Sequence, residues 1–244
     1  MSVIGLVTAL RLETRAVLAA LTRPRRIRPA PRPSWVGRAG AHEIVVVQGG
    51  VGRDAAATAT AAVPAHVTLL GSVGFVGALD PGLAPGDVVV ASSIVWDEGG
   101  GARRYDVAPA LLETLRRVLA AVLPRPPCAG TLFSTQAIVA GVDAKRAAYE
   151  RYAAVAVEME AAALARHAVQ HGVPLFALRV VLDPALLSLE GLPPNLDSSW
   201  AARARLATTP WVWPLLGTLH RHASTAGDAL TRALRASLPA LDPP

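Results

Sequence analysis

The amino-acid sequence predicts an α/β protein in which helices cover both faces of a central sheet. Short apolar runs such as VIGLVTAL (3–10) and LFALRVVLD (175–183) alternate along the chain with longer segments of helical periodicity. These runs are apolar at nearly every position, which is typical of strands buried on both sides. Neither a repeat nor a long linker interrupts the sequence, so we expect a single domain over residues 1–244.

The first half of the chain contains four predicted strands and two predicted helices. Each strand is an apolar run followed by glycines or by a turn signal such as Pro85-Gly86-Asp87. The predicted strands are 3–10, 42–50, 66–79 and 83–96, and the predicted helices are 12–22 and 53–62.

The second half begins with an amphipathic helix over 109–123, which ends at the PRPPC segment. A strand (129–140), a short exposed helix (143–153) and a second strand (153–157) follow. A long helix (158–171) and a last buried strand (175–183) come next. We expect a C-terminal helical segment over 198–238 with breaks at Pro210 and Pro214.

Composition indicates a globular protein, since 52% of the residues are hydrophobic and 17% are charged. Lys145 is the only lysine in a chain rich in arginine, so we attribute the high isoelectric point to compositional bias. The single cysteine, Cys128, excludes an internal disulfide and offers no metal cluster. No apolar run reaches the roughly 18 residues of a membrane span, and the N-terminus lacks a signal-peptide pattern, which favours a cytoplasmic protein.

One basic segment stands out from that bias. RPRRIRPAPRPSW (23–35) holds five arginines among prolines, so it is neither a helix nor a central strand. It is interpreted either as an exposed loop or as a surface that contacts anionic lipid headgroups at a membrane. Nucleic-acid binding is disfavoured because aromatic stacking partners are nearly absent nearby.

A glycine-rich turn follows the second predicted strand. Gly50-x-Gly52-x-x-Ala55 satisfies a loose dinucleotide-binding pattern, yet no acidic residue lies between Asp54 and Asp80 to bind a ribose. We therefore predict no nucleotide cofactor, and we interpret the glycines as a tight turn or a close backbone approach to a ligand. No histidine pair stands near a carboxylate at metal-ligand spacing, so no metal is predicted either.

Carboxylates recur where predicted strands end. Glu13 follows the first strand, Glu158 and Glu160 follow the strand before the long helix, and Asp183 closes the last strand. Ligands of open α/β sheets bind outside the carboxyl ends of the strands, so these acids are candidate site residues. Each taken alone is also explained as a helix cap or as a first-turn acid.

These residues and their surroundings resemble the nucleoside phosphorylase/nucleosidase superfamily, and within it the methylthioadenosine/S-adenosylhomocysteine nucleosidases. The resemblance covers residues 3 to about 183. It is carried by IGLVTALRLE, GGVG, VGFVGALDPGLAPGDVVVAS, STQAIVAG, VEMEAAALA and LRVVLD. It implies a three-layer αβα sandwich with a mixed, twisted central sheet, a small-molecule nucleoside substrate and a homo-oligomer, most simply a dimer.

The resemblance also implies roles for individual residues. Glu13 matches the acid that activates the attacking water, and Asp183 matches the acid at N7 of the leaving purine. Substrate-binding roles are implied for the ribose ligand Glu160, for Met159 beneath the sugar, for the base-holding Ile138 and Val139, for Phe75 in the glycine-rich turn and for Arg179 near the water.

Three departures from the family pattern bear on activity. Leu182 replaces the serine that usually precedes the catalytic aspartate, and Phe75 replaces a serine of the glycine-rich turn. The phosphate-binding loop of the phosphorylases is missing and Glu13 stands in its region, which favours hydrolysis because a carboxylate repels phosphate. Arg53 leaves phosphorolysis open.

The C-terminal region resembles the hopanoid-biosynthesis-associated branch of the superfamily, which implies adenosylhopane as the substrate. Six apolar residues are candidates for a channel that holds its polycyclic 5′ group: Leu186, Leu187, Leu189, Trp211, Val212 and Trp213. The tryptophans are equally explained as helix-packing or interface residues. Methylthioadenosine/S-adenosylhomocysteine or futalosine nucleosidases, and a nucleoside-binding protein without catalysis, are the alternatives.

Overall fold

A computed structural model describes residues 2–97, 101–192 and 213–242 of the chain. Within these ranges ten strands form one sheet: β1 (Val3–Thr8), β2 (Thr22–Ile27), β3 (Ser34–Ala39), β4 (His42–Gln48), β5 (Leu69–Ala78), β6 (Val88–Asp97), β7 (Ala102–Asp106), β8 (Cys128–Ser134), β9 (Ala154–Glu158) and β10 (Leu175–Asp183). The helices are α1 (Arg11–Ala20), α2 (Arg53–Ala61), α3 (Pro109–Ala120), α4 (Val142–Tyr152), α5 (Ala161–His171) and α6 (Trp213–Ser237), with a short 3₁₀ helix at Leu238–Ala240.

The sheet is mixed, as the sequence predicts. Its strand order is β10-β6-β8-β9-β5-β1-β4-β3-β2, with β7 paired to β6. Parallel pairings such as β1–β4 and β8–β9 stand beside antiparallel ones such as β5–β9 and β6–β10. β10 also pairs with β5 in the middle of this order, so the sheet curls back on itself around β5.

Helices lie on both faces of the sheet, which confirms the layered α/β prediction. Helices α1, α3 and α6 pack together on one face, and α2 packs against α5 on the other. The side chains of strand β1 pack into the hydrophobic cores on both faces of the sheet. Ile4 and Leu6 point into the core on one side, while Val7 belongs to the core on the opposite side.

The basic segment forms more structure than a loop. Residues 22–27 are the edge strand β2, and β3 begins at Ser34 and pairs antiparallel with it. The loop interpretation is therefore wrong for both ends of the segment, although the exclusion of a central strand holds. Prolines are tolerated in β2 because one side of an edge strand needs no ladder hydrogen bonds.

Two other expectations need correction. The strand predicted over 129–140 ends at Ser134, and residues 135–140 follow it as irregular backbone. Strand β7 was missed. The break expected at Pro214 stays a prediction, because Trp213, just before it, is the first described residue of α6. Residues 198–212, including Pro210, lie outside the described residues. No described helix is long and apolar enough to cross a membrane.

Candidate active site

The curl of the sheet brings strand ends from distant parts of the chain to one place. Gly77, near the end of β5, pairs with Val157 of β9 on one side and with Asp183 of β10 on the other. Glu158 ends β9 and is followed directly by α5. A cavity of about 200 Å³ opens at this edge. Seven of the eight site residues predicted from the sequence line it: Glu13, Phe75, Ile138, Val139, Met159, Glu160 and Asp183.

Glu13 is held on the cavity wall by backbone donors. It lies in the first turn of α1, where its Oε2 accepts hydrogen bonds from the N–H groups of Ala9 (2.8 Å) and Leu10 (2.7 Å). Its Oε1 accepts from the N–H of Phe75 at 2.8 Å. Gly74 makes this approach possible, since a Cβ there would lie 2.6 Å from the Glu13 carboxyl carbon. The Glu13 carboxylate is thus fixed in one orientation.

Arg179 is the eighth predicted residue, and it lies behind the cavity wall instead of on it. Its side chain is 1% exposed. The Nη2 donates to Ser72 Oγ and to Glu158 Oε2, both at 2.6 Å, and it lies 3.8 Å from Glu160 Oε2. Arg179 therefore places its positive charge beside Glu158 and Glu160 on the side away from the cavity. Its side chain does not line the cavity.

The two glutamates of the VEME motif have different partners. Glu158 Oε2 accepts from the N–H groups of Glu160 (2.9 Å) and Ala161 (2.7 Å), so it fixes the start of α5, as the sequence suggests. Glu160 turns toward the glycine-rich turn, where its Oε1 accepts from the N–H of Gly52 at 2.9 Å. Gly52 has a φ of +92°, a backbone conformation that favours glycine.

Burial dominates the electrostatics of these carboxyl groups. It raises the pKa of Glu13, against the opposing effect of Arg179 and of the three backbone donors. The pKa of Glu160 is raised to about 7 by burial and by the neighbouring Glu158, while Arg179 lowers it. The Glu160 carboxyl group therefore exchanges its proton close to neutral pH.

Asp183 has a partner that sequence reasoning missed. Lys145, on α4, places its Nζ 2.6 Å from Asp183 Oδ2, and both side chains are buried. Burial raises the pKa of Asp183, and the charge and hydrogen bond of Lys145 oppose that rise. The sequence contains one signal for Lys145, since it is the single lysine of an arginine-rich chain. Because the helix 143–153 is predicted to be exposed, Lys145 was not among the predicted site residues.

The rest of the cavity wall is largely apolar. Ile138 and Val139 come from the irregular segment after β8, and Met159 stands between the two glutamates. Phe75 contributes its side chain to the wall as well as its N–H to Glu13. A planar base and a sugar ring fit such a wall, while the carboxylates provide the polar contacts.

The predicted channel residues are only partly on the wall. Leu189 lines the cavity as predicted. Leu192 and Leu219 also line it, although neither was among the predicted channel residues. Leu186 and Trp213 are 75% and 56% exposed, and neither they nor Leu187 line the cavity. Trp211 and Val212 lie outside the described residues. The C-terminal region thus contributes apolar side chains, but different ones from those expected.

Comparison with known proteins places this arrangement in a family. The family model described as "Phosphorylase superfamily" matches residues 3–207. The chain belongs to the phosphorylase superfamily. A curated relative in that superfamily, the 5′-methylthioadenosine/S-adenosylhomocysteine nucleosidase of Marinomonas sp. (strain MWYL1), is 31% identical over 206 residues, which are 76% of this chain and 87% of the relative.

Solved structures of the superfamily share the fold over nearly the whole chain. An S-adenosylhomocysteine nucleosidase from Streptococcus pyogenes, solved with 5-methylthiotubericidin, has a TM-score of 0.78 and 25% identity, covering 99% of this chain and 98% of that one. A futalosine hydrolase of Helicobacter pylori has a TM-score of 0.72 and 20% identity, covering 96% and 97%. The superfamily predicted from the sequence is confirmed.

Proposed function

We propose that this protein hydrolyses the N-ribosidic bond of a 5′-substituted adenosine and releases adenine. The observation that carries the proposal is the wall of the cavity, where four buried acids (Glu13, Glu158, Glu160 and Asp183) stand among apolar side chains. Relatives of the chain are named as nucleosidases, which supports purine nucleosidase activity for this chain. The roles of the individual residues are part of the proposal.

The proposed reaction divides the proton transfers between two carboxyl groups. The bond between C1′ and the purine N9 breaks, its electron pair leaves with the base, and the Asp183 proton passes to N7. Water attacks C1′ and gives a proton to the Glu13 carboxylate, as in glycoside hydrolysis by paired acids. Glu160 accepts hydrogen bonds from the ribose hydroxyls and stabilises the positive charge that grows on the sugar.

The charge of the cavity favours water over phosphate as the attacking group. Among the described residues that line it, none is arginine or lysine. Arg53, the residue that kept phosphorolysis open, lies over the ring of Trp96 with its Cζ 4.8 Å from the centroid, and it lines a different cavity beside Arg103 and Arg166. A phosphate dianion beside C1′ would meet Glu13 and Glu160 instead of a cation.

Adenine release with and without phosphate tests this proposal. Purified protein is incubated with adenosylhopane, methylthioadenosine, S-adenosylhomocysteine or futalosine, and the free base is measured. We expect adenine from at least one adenosine substrate at a rate that phosphate does not raise. Release that requires phosphate would contradict hydrolysis. Release from no substrate would favour a nucleoside-binding protein without catalysis.

The 5′ substituent is proposed to be large and apolar, as in adenosylhopane. Leu189, Leu192 and Leu219 extend the apolar wall, and Val51 lines the cavity while being 43% exposed, which places it at the mouth. In the same assay we expect kcat/KM for adenosylhopane to exceed that for methylthioadenosine by at least about tenfold, since each buried methylene contributes about 0.8 kcal/mol. An equal kcat/KM would contradict this choice of substrate.

A basic region next to the cavity supports contact with anionic membrane lipids. No acidic residue lies between Glu13 and Glu43, while seven arginines do. With Arg11 they define the basic region: Arg11, Arg15, Arg23, Arg25, Arg26, Arg28, Arg32 and Arg38. All of these except Arg32 are exposed, and the Nη1 of Arg32 donates to the Gly49 carbonyl at 3.1 Å, which joins the basic region to the glycine-rich turn of the site.

Vesicle flotation tests this membrane contact. We expect the protein to float with phosphatidylcholine vesicles that contain about 30% phosphatidylserine and not with pure phosphatidylcholine, because each basic side chain contributes about 1 kcal/mol near an anionic surface. The pair Arg25→Glu and Arg28→Glu is expected to abolish flotation. The matched pair Arg116→Glu and Arg117→Glu, exposed on α3, is expected to leave it intact. Equal binding by both variants would contradict the assignment.

The homo-oligomer and the cytoplasmic location stay predictions. Light scattering during size-exclusion chromatography distinguishes a dimer from a monomer.

A further inference from the structure

Lys145 is buried beside the proposed acid, although most residues of its helix, α4, are exposed. Its side chain is 1% exposed, whereas that of Arg146, the next residue, is 68% exposed. Burying an ammonium group is costly unless it is paired and hydrogen-bonded. The buried ammonium group therefore costs folding free energy that an apolar side chain at this position would not cost.

The ammonium group has three hydrogen-bond acceptors, which is the number of its protons. They are Asp183 Oδ2 at 2.6 Å, the Pro184 carbonyl at 3.1 Å and the Leu187 carbonyl at 2.9 Å. A charged lysine has three N–H donors and a neutral one has two, so the arrangement matches the charged form. All three acceptors belong to the segment that carries Asp183, and Lys145 thereby fixes both the carboxyl group and the backbone after it.

The neighbourhood of Asp183 offers few other groups for this task. Leu182, the preceding residue, lines the cavity with a side chain that cannot donate a hydrogen bond. On α6, His222 faces Asp183 closely enough to affect its charge, and its Nδ1 is buried without a hydrogen-bond partner among the described residues. Among the residues that the structure describes, Lys145 and His222 are the titratable groups that act on Asp183 from the packed elements, and of the two only Lys145 bonds to it.

We propose that Lys145 is a positioning residue of the reaction, which orients the Asp183 carboxyl group and stabilises the carboxylate left after its proton passes to the purine. This inference rests on the proposed function. The proton moves from Asp183 to N7, the electron pair of the broken C1′–N9 bond stays with the base, and the ammonium keeps its three protons throughout. Lys145 acts through Asp183 and does not touch the substrate.

The pH dependence of catalysis follows from this contact. Lys145 lowers the pKa of Asp183 against the effect of burial. Without it, Asp183 keeps its proton to higher pH, because burial is then opposed only by a backbone hydrogen bond and by His222. The protonated form of Asp183 is the active acid, so activity in the variant must persist to higher pH while the proton transfer itself becomes less favourable.

Two substitutions at Lys145 and a control test the inference. Lys145→Met, Lys145→Arg and Arg146→Met are compared with wild type by kcat and KM for adenine release between pH 5 and 9. For Lys145→Met we expect kcat at pH 7 to fall about 30-fold with KM changed less than about threefold, and the alkaline limb to move up by about one pH unit or more. Lys145→Arg keeps the charge, so its limb stays near that of wild type. Arg146→Met matches wild type.

A double variant keeps the test decisive if Lys145→Met folds poorly. Asp183→Asn combined with Lys145→Met removes both charges and leaves no unpaired buried ion. Activity equal to that of Asp183→Asn alone supports the inference, because a residue that acts through Asp183 has no effect once the acid is gone. A further loss of tenfold or more, or a Lys145→Met profile that superimposes on that of Arg146→Met, overturns it. Wild type that releases no adenine instead refutes the proposed function.

Discussion

Asp183→Asn is expected to lower kcat for adenine release by about a thousandfold, with little change in KM. A positioned general acid contributes about 10²–10⁴-fold to a rate, and a purine leaves poorly without a proton on N7. Asparagine keeps the shape of the side chain and its place at the end of β10, so substrate binding is preserved. Steady-state kinetics at pH 7 provide both constants.

The control for this prediction is Asp143→Asn. Asp143 lies on α4, the helix that also carries Lys145, but its side chain is 88% exposed and pairs with Arg146 at the surface. We expect it to match wild type. If Asp183→Asn retains more than about a tenth of the wild-type kcat, Asp183 is not the acid. A thermal melt of Asp183→Asn should also show lower stability, since Lys145 loses its counter-charge.

Arg179→Met is expected to reduce the free energy of unfolding by about 3–5 kcal/mol, the cost of breaking a buried ion pair by removing one partner. Arg179 is 1% exposed and bonds Glu158 at 2.6 Å, while its charge also favours ionised Glu13 and Glu160. Without this arginine, no other cation of the described part of the chain pairs with Glu13, Glu158 or Glu160. Chemical denaturation measures the loss.

The loss in Arg179→Met should depend on pH in a defined direction. Removing the cation raises the pKa values of Glu13 and Glu160 in the folded state further above their unfolded values. A raised folded pKa gives stability that is present at low pH and is lost as pH rises through it. The difference from wild type is therefore expected to be larger at pH 8 than at pH 5. A loss below about 1 kcal/mol, or one equal to that of exposed Arg146→Met, would contradict this role.

The sequence predicts those parts of the site that local pattern determines. Glu13, Glu160 and Asp183 are recognisable because each follows an apolar strand, and the carboxyl ends of strands form binding sites in α/β proteins. The two helical layers follow from the same alternation of strands and helices, whereas the mixed sheet is what the family resemblance implies. The glycine-rich turn lies at the site, where Gly52 donates to Glu160, and its close approach to a ligand stays a prediction.

Features that depend on distant contacts were not predictable in the same way. Lys145 and Asp183 are 38 residues apart, and nothing in the helix 143–153 indicates that one of its charged residues turns inward. Arg179 was assigned to the substrate, but the pairing of β10 with β5 directs it behind the wall. Strand β2 lacks any apolar alternation, because its side chains are almost all exposed at the sheet edge.

The most direct measurement is adenine release from adenosylhopane and methylthioadenosine in phosphate-free buffer, by wild type and by Glu13→Gln side by side. The proposed hydrolysis predicts one adenine per ribosyl product from wild type without phosphate, and a rate at least about a hundredfold lower for Glu13→Gln, which cannot accept the proton of the attacking water. Exposed Glu113→Gln serves as the control and should match wild type. No adenine from either substrate, release that depends on phosphate, or a Glu13→Gln rate near that of wild type would contradict it.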